Sequence, residues 1–319
     1  MDVAVVLHRH LTFAHGGQAR RERIVNDAQR SKVAAGKGFI AALDQSGGST
    51  PQALRLYGVQ ESEYSGDAEM LDLMHQFRAR IIASPSFDGD RVLGAILFEQ
   101  TMDRDIDGIN TVEYLWEHKN VVPFVKVDEG LAPEVDGVQR MKSFTRLERL
   151  LRRAIDRGVF GTKMRSVIRH ANERGILTAL EQQFAYAQQI LAAGLVPIIE
   201  PEVDIHAPDK EQAEQLLKAA VIEHLERVPQ GQQIMLKLSL PTREGFYSDL
   251  IQHPAVLRVV ALSGGYSRDE ADELLARNPG LIGSFSRALT EGLTRQQSDA
   301  EFDAVLDDAI SSIYKASTT

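Results

Sequence analysis

Cysteine is absent from all 319 residues. That absence excludes disulfides, iron–sulfur clusters, thiolate zinc sites and cysteine nucleophiles together, and it agrees with a reducing compartment, so a cytoplasmic location is expected. No apolar run approaches the roughly 20 residues that a membrane span needs. Positive charge is not in excess: 36 Lys and Arg stand against 45 Asp and Glu, a net charge of −9. The chain therefore offers no broad electrostatic footprint for nucleic acid or an anionic membrane, and any phosphate site must be local. Internal repeats, low-complexity segments and Pro/Gly/Ser-rich linkers are also missing, which speaks against a second domain. What is present, 43% apolar and 25% charged residues, suffices for a large core and excludes disorder as the main state.

The first 37 residues differ from the rest. They carry Arg9, Arg20, Arg21, Arg23, Arg30, Lys32 and Lys37 against Asp2, Glu22 and Asp27. Residues 1–23 read as a flexible basic arm, because Val3–Leu7 is too short for the core of a secretory signal and precedes the charges. A short helix is expected near Ile24–Ala35. Residues 24–319 then form one unit. Beyond Gly36, short β-branched apolar runs alternate with longer segments of helical period, the pattern of a parallel sheet covered by helices. Strands are predicted at Phe39–Leu43, Leu93–Phe98, Val121–Val127, Phe160–Met164, Val196–Ile199, Ile234–Leu238, Val256–Ala261 and Leu281–Phe285. Amphipathic helices follow at Ile176–Ala192, Lys210–Leu225 and Glu301–Ala316, and the gap from Leu43 to Leu93 has room for two more. Eight such units point to an α/β fold of the (β/α)8, or TIM, barrel type, with a doubly wound open sheet as the alternative.

A charge in or just after a strand buried on both faces is costly unless it is paired or used, and in barrels the C-terminal strand ends carry the chemistry. Seven of the eight predicted ends are polar: Asp44 after the first strand, Lys126 and Asp128 on the third, Lys163 and Arg165 on the fourth, Glu200 and Glu202 after the fifth, Lys237 on the sixth, Ser263-Gly264-Gly265 after the seventh, and Arg287 after the eighth. The last two, together with Gly283-Ser284-Phe285-Ser286, can present backbone N–H groups and one cation to an anion, as in the phosphate corner of a barrel. Lys163 and Lys237 can share a cavity in which burial and a second cation lower an amine's pKa and make it nucleophilic toward a carbonyl. Glu200 in that cavity can move protons for imine formation and hydrolysis.

Metal chemistry is disfavoured, because His8, His10, His15, His75, His118, His170, His206, His224 and His253 are scattered, with no HxxxH or HxxE cluster at a strand end. A serine nucleophile lacks a histidine base; Ser46 and Ser49, beside Gly47 and Gly48, better serve to bind a phosphate or to cap the helix that Pro51 begins. The Asp-Gln-Ser-Gly-Gly stretch lacks the GxGxxG spacing of a dinucleotide site.

Taken together, the stretches GKGFIAALDQSGGSTP, GAILFEQTMDR, GVFGTKMRS, GLVPIIEPEVD, IMLKLSLP, VVALSGGYSR and IGSFSRAL resemble class I fructose-bisphosphate aldolases of the shorter bacterial type, from about Gly36 to Tyr314. The resemblance implies a single-domain barrel and metal-independent, reversible cleavage of fructose 1,6-bisphosphate to dihydroxyacetone phosphate and glyceraldehyde 3-phosphate in glycolysis and gluconeogenesis. It implies no cofactor beyond a covalent imine on Lys237. Position by position, Glu200 would shuttle protons, Lys163 would keep the pocket positive, and Asp44 would handle the C4 hydroxyl proton, with Glu202 and Arg165 in support. Ser263, Gly264, Gly265 and Arg287 would hold the C1 phosphate; Ser46, Ser49 and Lys126 would lie toward the C6 phosphate. Partners would be small sugar phosphates, neither nucleic acid nor membrane, with homo-oligomerisation left open. The chain departs from animal members of the family at Gln52 and Ala53, where they carry basic residues, at Glu129, where they carry a lysine, and at Tyr314, which is five residues short of the terminus rather than last. Two other readings of the same residues are an imine-forming aldolase for another ketose phosphate, such as tagatose bisphosphate, and a sugar-phosphate sensor without turnover.

Overall fold

The computed structural model describes residues 26–319; the expected basic arm, residues 1–23, lies outside them. Eight parallel strands run in chain order around a barrel: β1 (Phe39–Leu43), β2 (Val92–Leu97), β3 (Val122–Lys126), β4 (Gly161–Ile168), β5 (Val196–Val203), β6 (Ile234–Ser239), β7 (Val256–Leu262) and β8 (Ile282–Gly283). The closed arrangement, not the doubly wound sheet, is what these sequence runs form. Closure between β8 and β1 is made by the Ala42 N–H donating to the Phe285 carbonyl at 3.1 Å.

The named helices packed around the strands are α1 (Ser49–Leu56) and α2 (Gly66–Ala83) in the long first gap, α3 (Leu147–Asp156), α4 (Glu173–Ala192), α5 (Lys210–Leu225), α6 (Arg268–Ala276) and α7 (Asp299–Ala316). Their ends follow local chemistry. Ser267 and Ser298 accept from the N–H groups of Glu270 and Glu301, whose carboxylates return the bond, so α6 and α7 each begin with a capping box. None of the helices among the described residues is long and apolar enough to cross a membrane.

Two strands outrun the sequence expectation. β4 continues through Arg165 to Ile168 and β5 through Glu200 and Glu202 to Val203, in register over eight residue pairs. Glu200 and Glu202, read as lying after the fifth strand, sit within it, and Arg165, beyond the predicted bounds of the fourth, is paired in its ladder. An antiparallel pairing of Val138–Gln139 with Ile168 and Val167 extends the sheet on that side.

Side chains on the strands separate into two apolar sets. One faces the helices. The other fills the N-terminal half of the barrel with Ile40, Leu93, Ile96, Val122, Phe124, Phe160, Val196, Ile198, Met235, Val260 and Ile282. The Phe124 and Phe160 rings meet edge to face at 5.5 Å. Gly161 leaves room for this layer, since a Cβ there would lie 2.3 Å from the Val196 carbonyl and 2.9 Å from the Phe124 ring. The helix expected near Ile24–Ala35 is helical over the described residues 26–35. It joins the barrel: Val33 is buried in the same layer, and Arg258 of β7 donates to the carbonyls of Ala34 and Gly36 at 2.7 and 3.3 Å. The N-terminal end of the barrel is thereby floored.

Candidate active site

At the opposite end, the C-terminal strand ends surround a cavity of about 330 Å³. Of the residues to which the resemblance assigns a part in binding or catalysis, all but Gly265 line it: Asp44, Ser46, Ser49, Lys126, Lys163, Arg165, Glu200, Glu202, Lys237, Ser263, Gly264 and Arg287. Gly265 stands just behind, 3.5 Å from the Arg287 guanidinium if given a Cβ. Gly264 has a φ of +64° and Gly265 one of +130°, so the turn after β7 takes a backbone path that favours glycine.

The centre is a chain of ion pairs. Lys163 Nζ is 2.6 Å from Asp44 Oδ2, 2.9 Å from Glu200 Oε2 and 3.9 Å from Asp128 Oδ2. Lys237 Nζ is 3.0 Å from the other Glu200 oxygen, Oε1. Glu200 thus bridges two lysines, and all three side chains are at most 5% exposed. Lys126 pairs with Asp128 at 2.5 Å and donates to Ser46 Oγ at 3.1 Å. Arg165 pairs with Glu202 at 2.5 Å at the more open edge. The strand register accounts for the grouping, because Lys126 lies beside Lys163 and Arg165 beside Glu200 on adjacent parallel strands.

Burial alone would neutralise these groups, but their partners outweigh it. Burial works against the charge of Lys163, while Asp44, Glu200 and Asp128 hold its ammonium well above the ordinary lysine range. Burial likewise disfavours the Asp44 carboxylate, yet Lys163, Lys237 and Lys126 hold its pKa well below the usual value. Glu200 is lowered too, the pull of Lys163 and Lys237 exceeding its burial. For Lys163 the expectation of a lowered pKa is corrected: three surrounding carboxylates hold it as a cation. Lys237 has one carboxylate within ion-pair distance, Glu200.

Three further findings bear on the sequence reading. Asp128, noted at a strand end but given no role, is 2% exposed and anchors both Lys126 and Lys163. Its signal was the Lys-Val-Asp alternation, which points Lys126 and Asp128 to one face. Second, α1 begins at Ser49 rather than at Pro51, and neither serine caps it. Ser49 Oγ instead accepts from the Ser46 N–H and donates to the Ser46 carbonyl at 3.0 and 2.9 Å, folding the loop over the cavity. Third, Glu129 is not among the residues lining the cavity: its carboxylate accepts from the N–H groups of Thr145 and Arg146 at the start of α3. Tyr314 packs on the helix-side core. No cluster of three or more metal-ligating side chains occurs among the described residues.

The cavity combines two buried lysines, a carboxylate that bridges them and further cations at separate edges, which suits a carbonyl compound carrying anionic groups. Comparison with known proteins gives the same direction. The family model for fructose-bisphosphate aldolase class-I matches residues 25–240. A protein of Synechocystis sp. named fructose-bisphosphate aldolase class 1 is 60% identical over 294 residues, covering 92% of this chain and 98% of that one. Proteins of the same name from Clostridium acetobutylicum and Porphyromonas gingivalis are 54% and 53% identical, each match covering 92% of this chain and 100% and 99% of theirs. Among solved structures, fructose-bisphosphate aldolase from Plasmodium falciparum superposes with a TM-score of 0.73 at 22% identity, covering 94% of this chain and 95% of that one, a likeness of fold.

Proposed function

The chain belongs to the family of class I fructose-bisphosphate aldolases, and from that premise we propose which of its residues carry the reaction. The activity is lyase chemistry: reversible, Schiff-base cleavage of fructose 1,6-bisphosphate to dihydroxyacetone phosphate and glyceraldehyde 3-phosphate, a step of glycolysis and gluconeogenesis. Lys237 is the nucleophile. Its Nζ passes a proton to Glu200 Oε1, 3.0 Å away, and adds to the C2 ketone. After a proton moves from the nitrogen to the new oxygen, the carbinolamine hydroxyl takes back the proton held by Glu200 and departs as water, the nitrogen lone pair forming the iminium.

As Lys237 gives up its ammonium charge, Glu200 keeps only Lys163 as a close cation, so its affinity for a proton rises in the step where it must accept one. The iminium is an electron sink. Loss of the C4 hydroxyl proton toward Asp44 lets the C3–C4 bond break, its electron pair entering the enamine and the C4 oxygen becoming the aldehyde. Reprotonation at C3 and hydrolysis then release the ketone and restore Lys237. Lys163 keeps Asp44 and Glu200 ionised and in place. Arg287 with Ser263, Gly264 and Gly265 holds the C1 phosphate, and Ser46, Ser49 and Lys126 hold the C6 phosphate; fixing both ends applies remote binding energy to the reacting carbon. Glu202 and Arg165 border the cavity as a pair. No cofactor enters this scheme, the partners are small sugar phosphates, and the compartment that suits a cysteine-free glycolytic enzyme is the cytoplasm.

The observation that carries this assignment is the asymmetry of the lysines, three carboxylates around Lys163 and one beside Lys237. Borohydride reduction in the presence of dihydroxyacetone phosphate, followed by peptide mass mapping, tests it. An adduct on Lys237 is expected. An adduct on Lys163 would overturn the assignment, and no adduct despite binding would favour the sensor reading.

A further inference from the structure

Arg78, in the middle of α2, is 1% exposed, and no carboxylate among the described residues lies within ion-pair distance of it. Burial lowers its pKa to about 10, against the upward pull of Asp44. Removing a guanidinium from water without a close counter-ion is costly, so a purely structural position would rarely keep one. Its bonds point toward the mouth of the barrel. One arm donates to Thr101 Oγ1 at 2.9 Å and the other to the Gln45 carbonyl at 2.5 Å, with Gln45 Oε1 at 3.5 Å. A guanidinium only donates, so the Gln45 amide must turn its oxygen toward Arg78 and its NH2 away. That NH2 donates to Ser286 Oγ at 2.7 Å, and Ser286 lines the cavity beside Arg287.

The place of this contact gives it meaning. Adjacent strands elsewhere are paired by ladders, from eight residue pairs for β4 with β5 down to two for β5 with β6 and for β7 with β8. Across the seam from β8 to β1, the closing backbone bond is that of Ala42 with Phe285. The Asp44–Ser49 loop lies on one side of that seam and the Ser284–Arg287 loop on the other.

We infer that Arg78 is a positioning residue which, through Gln45 and Ser286, fixes the spacing between the two phosphate-binding edges of the cavity and so sets the preference for a bisphosphate over a monophosphate sugar. This deepens the aldolase reading and rests on it. With the strut broken, one edge still holds one phosphate, but the two edges no longer match the length of a bisphosphate; misplacement near 1 Å is worth about 100-fold in rate.

The test compares wild type with R78M, R78K and Q45L on fructose 1,6-bisphosphate and on fructose 1-phosphate. R78M and Q45L are expected to lose about tenfold or more in kcat/KM on the bisphosphate, and far less on the monophosphate, so that the ratio between substrates collapses. R78K, which can still donate to the Gln45 carbonyl, should recover part of it. Equal losses on both substrates, or an unchanged ratio, would overturn the inference. Q45L keeps Arg78 in place, so it decides the question even if R78M fails to fold. A wild type that cleaves neither sugar would instead refute the aldolase reading itself.

Discussion

The two ends of this barrel are made by the same eight strands and both carry buried side chains, yet they hold opposite kinds of residue. At the floor, Ile40, Phe124, Phe160, Val196 and Met235 interlock under the helix of residues 26–35. At the mouth, a few residues further along the same strands, Lys163, Glu200 and Lys237 stand buried where apolar side chains would cost less. Buried ion pairs return little net stability, because desolvation consumes most of their attraction. The floor thus supplies cohesion, and the mouth holds charges in a fixed geometry for chemistry at stability's expense.

That division is open to attack from both ends. The largest effect is expected from K237M at the mouth, a loss of about 10⁴-fold or more in kcat with thermal unfolding close to wild type; retained turnover would remove Lys237 from the mechanism. At the floor, F124A should cost about 3–5 kcal/mol in denaturant unfolding while the folded fraction keeps the wild-type KM. A change in KM without a change in stability would mean that the floor takes part in binding. R287A is milder, weakening binding of the bisphosphate by about 1.5–3 kcal/mol, the worth of a charge-assisted contact, with little effect on unfolding.

Acid sharpens the contrast. Asp44 and Glu200 have folded pKa values below their unfolded ones, so their contribution is present above the ordinary carboxylate range, about pH 4–5, and is lost as pH falls toward the folded values. Lys163, raised in the fold, contributes below about pH 10 and loses its share only in strong alkali. Denaturant midpoints measured from neutral to acid pH should therefore drop in wild type and drop less in E200Q, whereas F124A should keep the wild-type slope. The smallest expected effect is none: EDTA should leave the rate unchanged, and strong inhibition would call for a metal.

Much of this was legible in the chain. Eight β-branched runs gave the strands, because each is buried on both sides and so reads as unbroken apolar sequence. The mouth residues were legible for the converse reason, as charges interrupting those runs. The same cue misplaced the ends of β4 and β5, since a charge facing a polar cavity does not stop a strand and Arg165, Glu200 and Glu202 continue the ladder. The Lys-Val-Asp alternation placed Asp128 beside Lys126, but its contact with Lys163, 35 residues on, and that of Arg78 with Gln45, 33 residues before it, are set by three-dimensional neighbours that no spacing reveals. The part played by the helix of residues 26–35 was hidden similarly, because Arg258, which holds it to the barrel, follows more than 200 residues later.

The sealed floor also dictates traffic. A well closed at its base has one doorway, so substrate and both products pass the same C-terminal mouth. On the proposed mechanism the ketone fragment is held by its bond to Lys237 until hydrolysis, so the aldehyde is the first through that doorway and, in synthesis, the last.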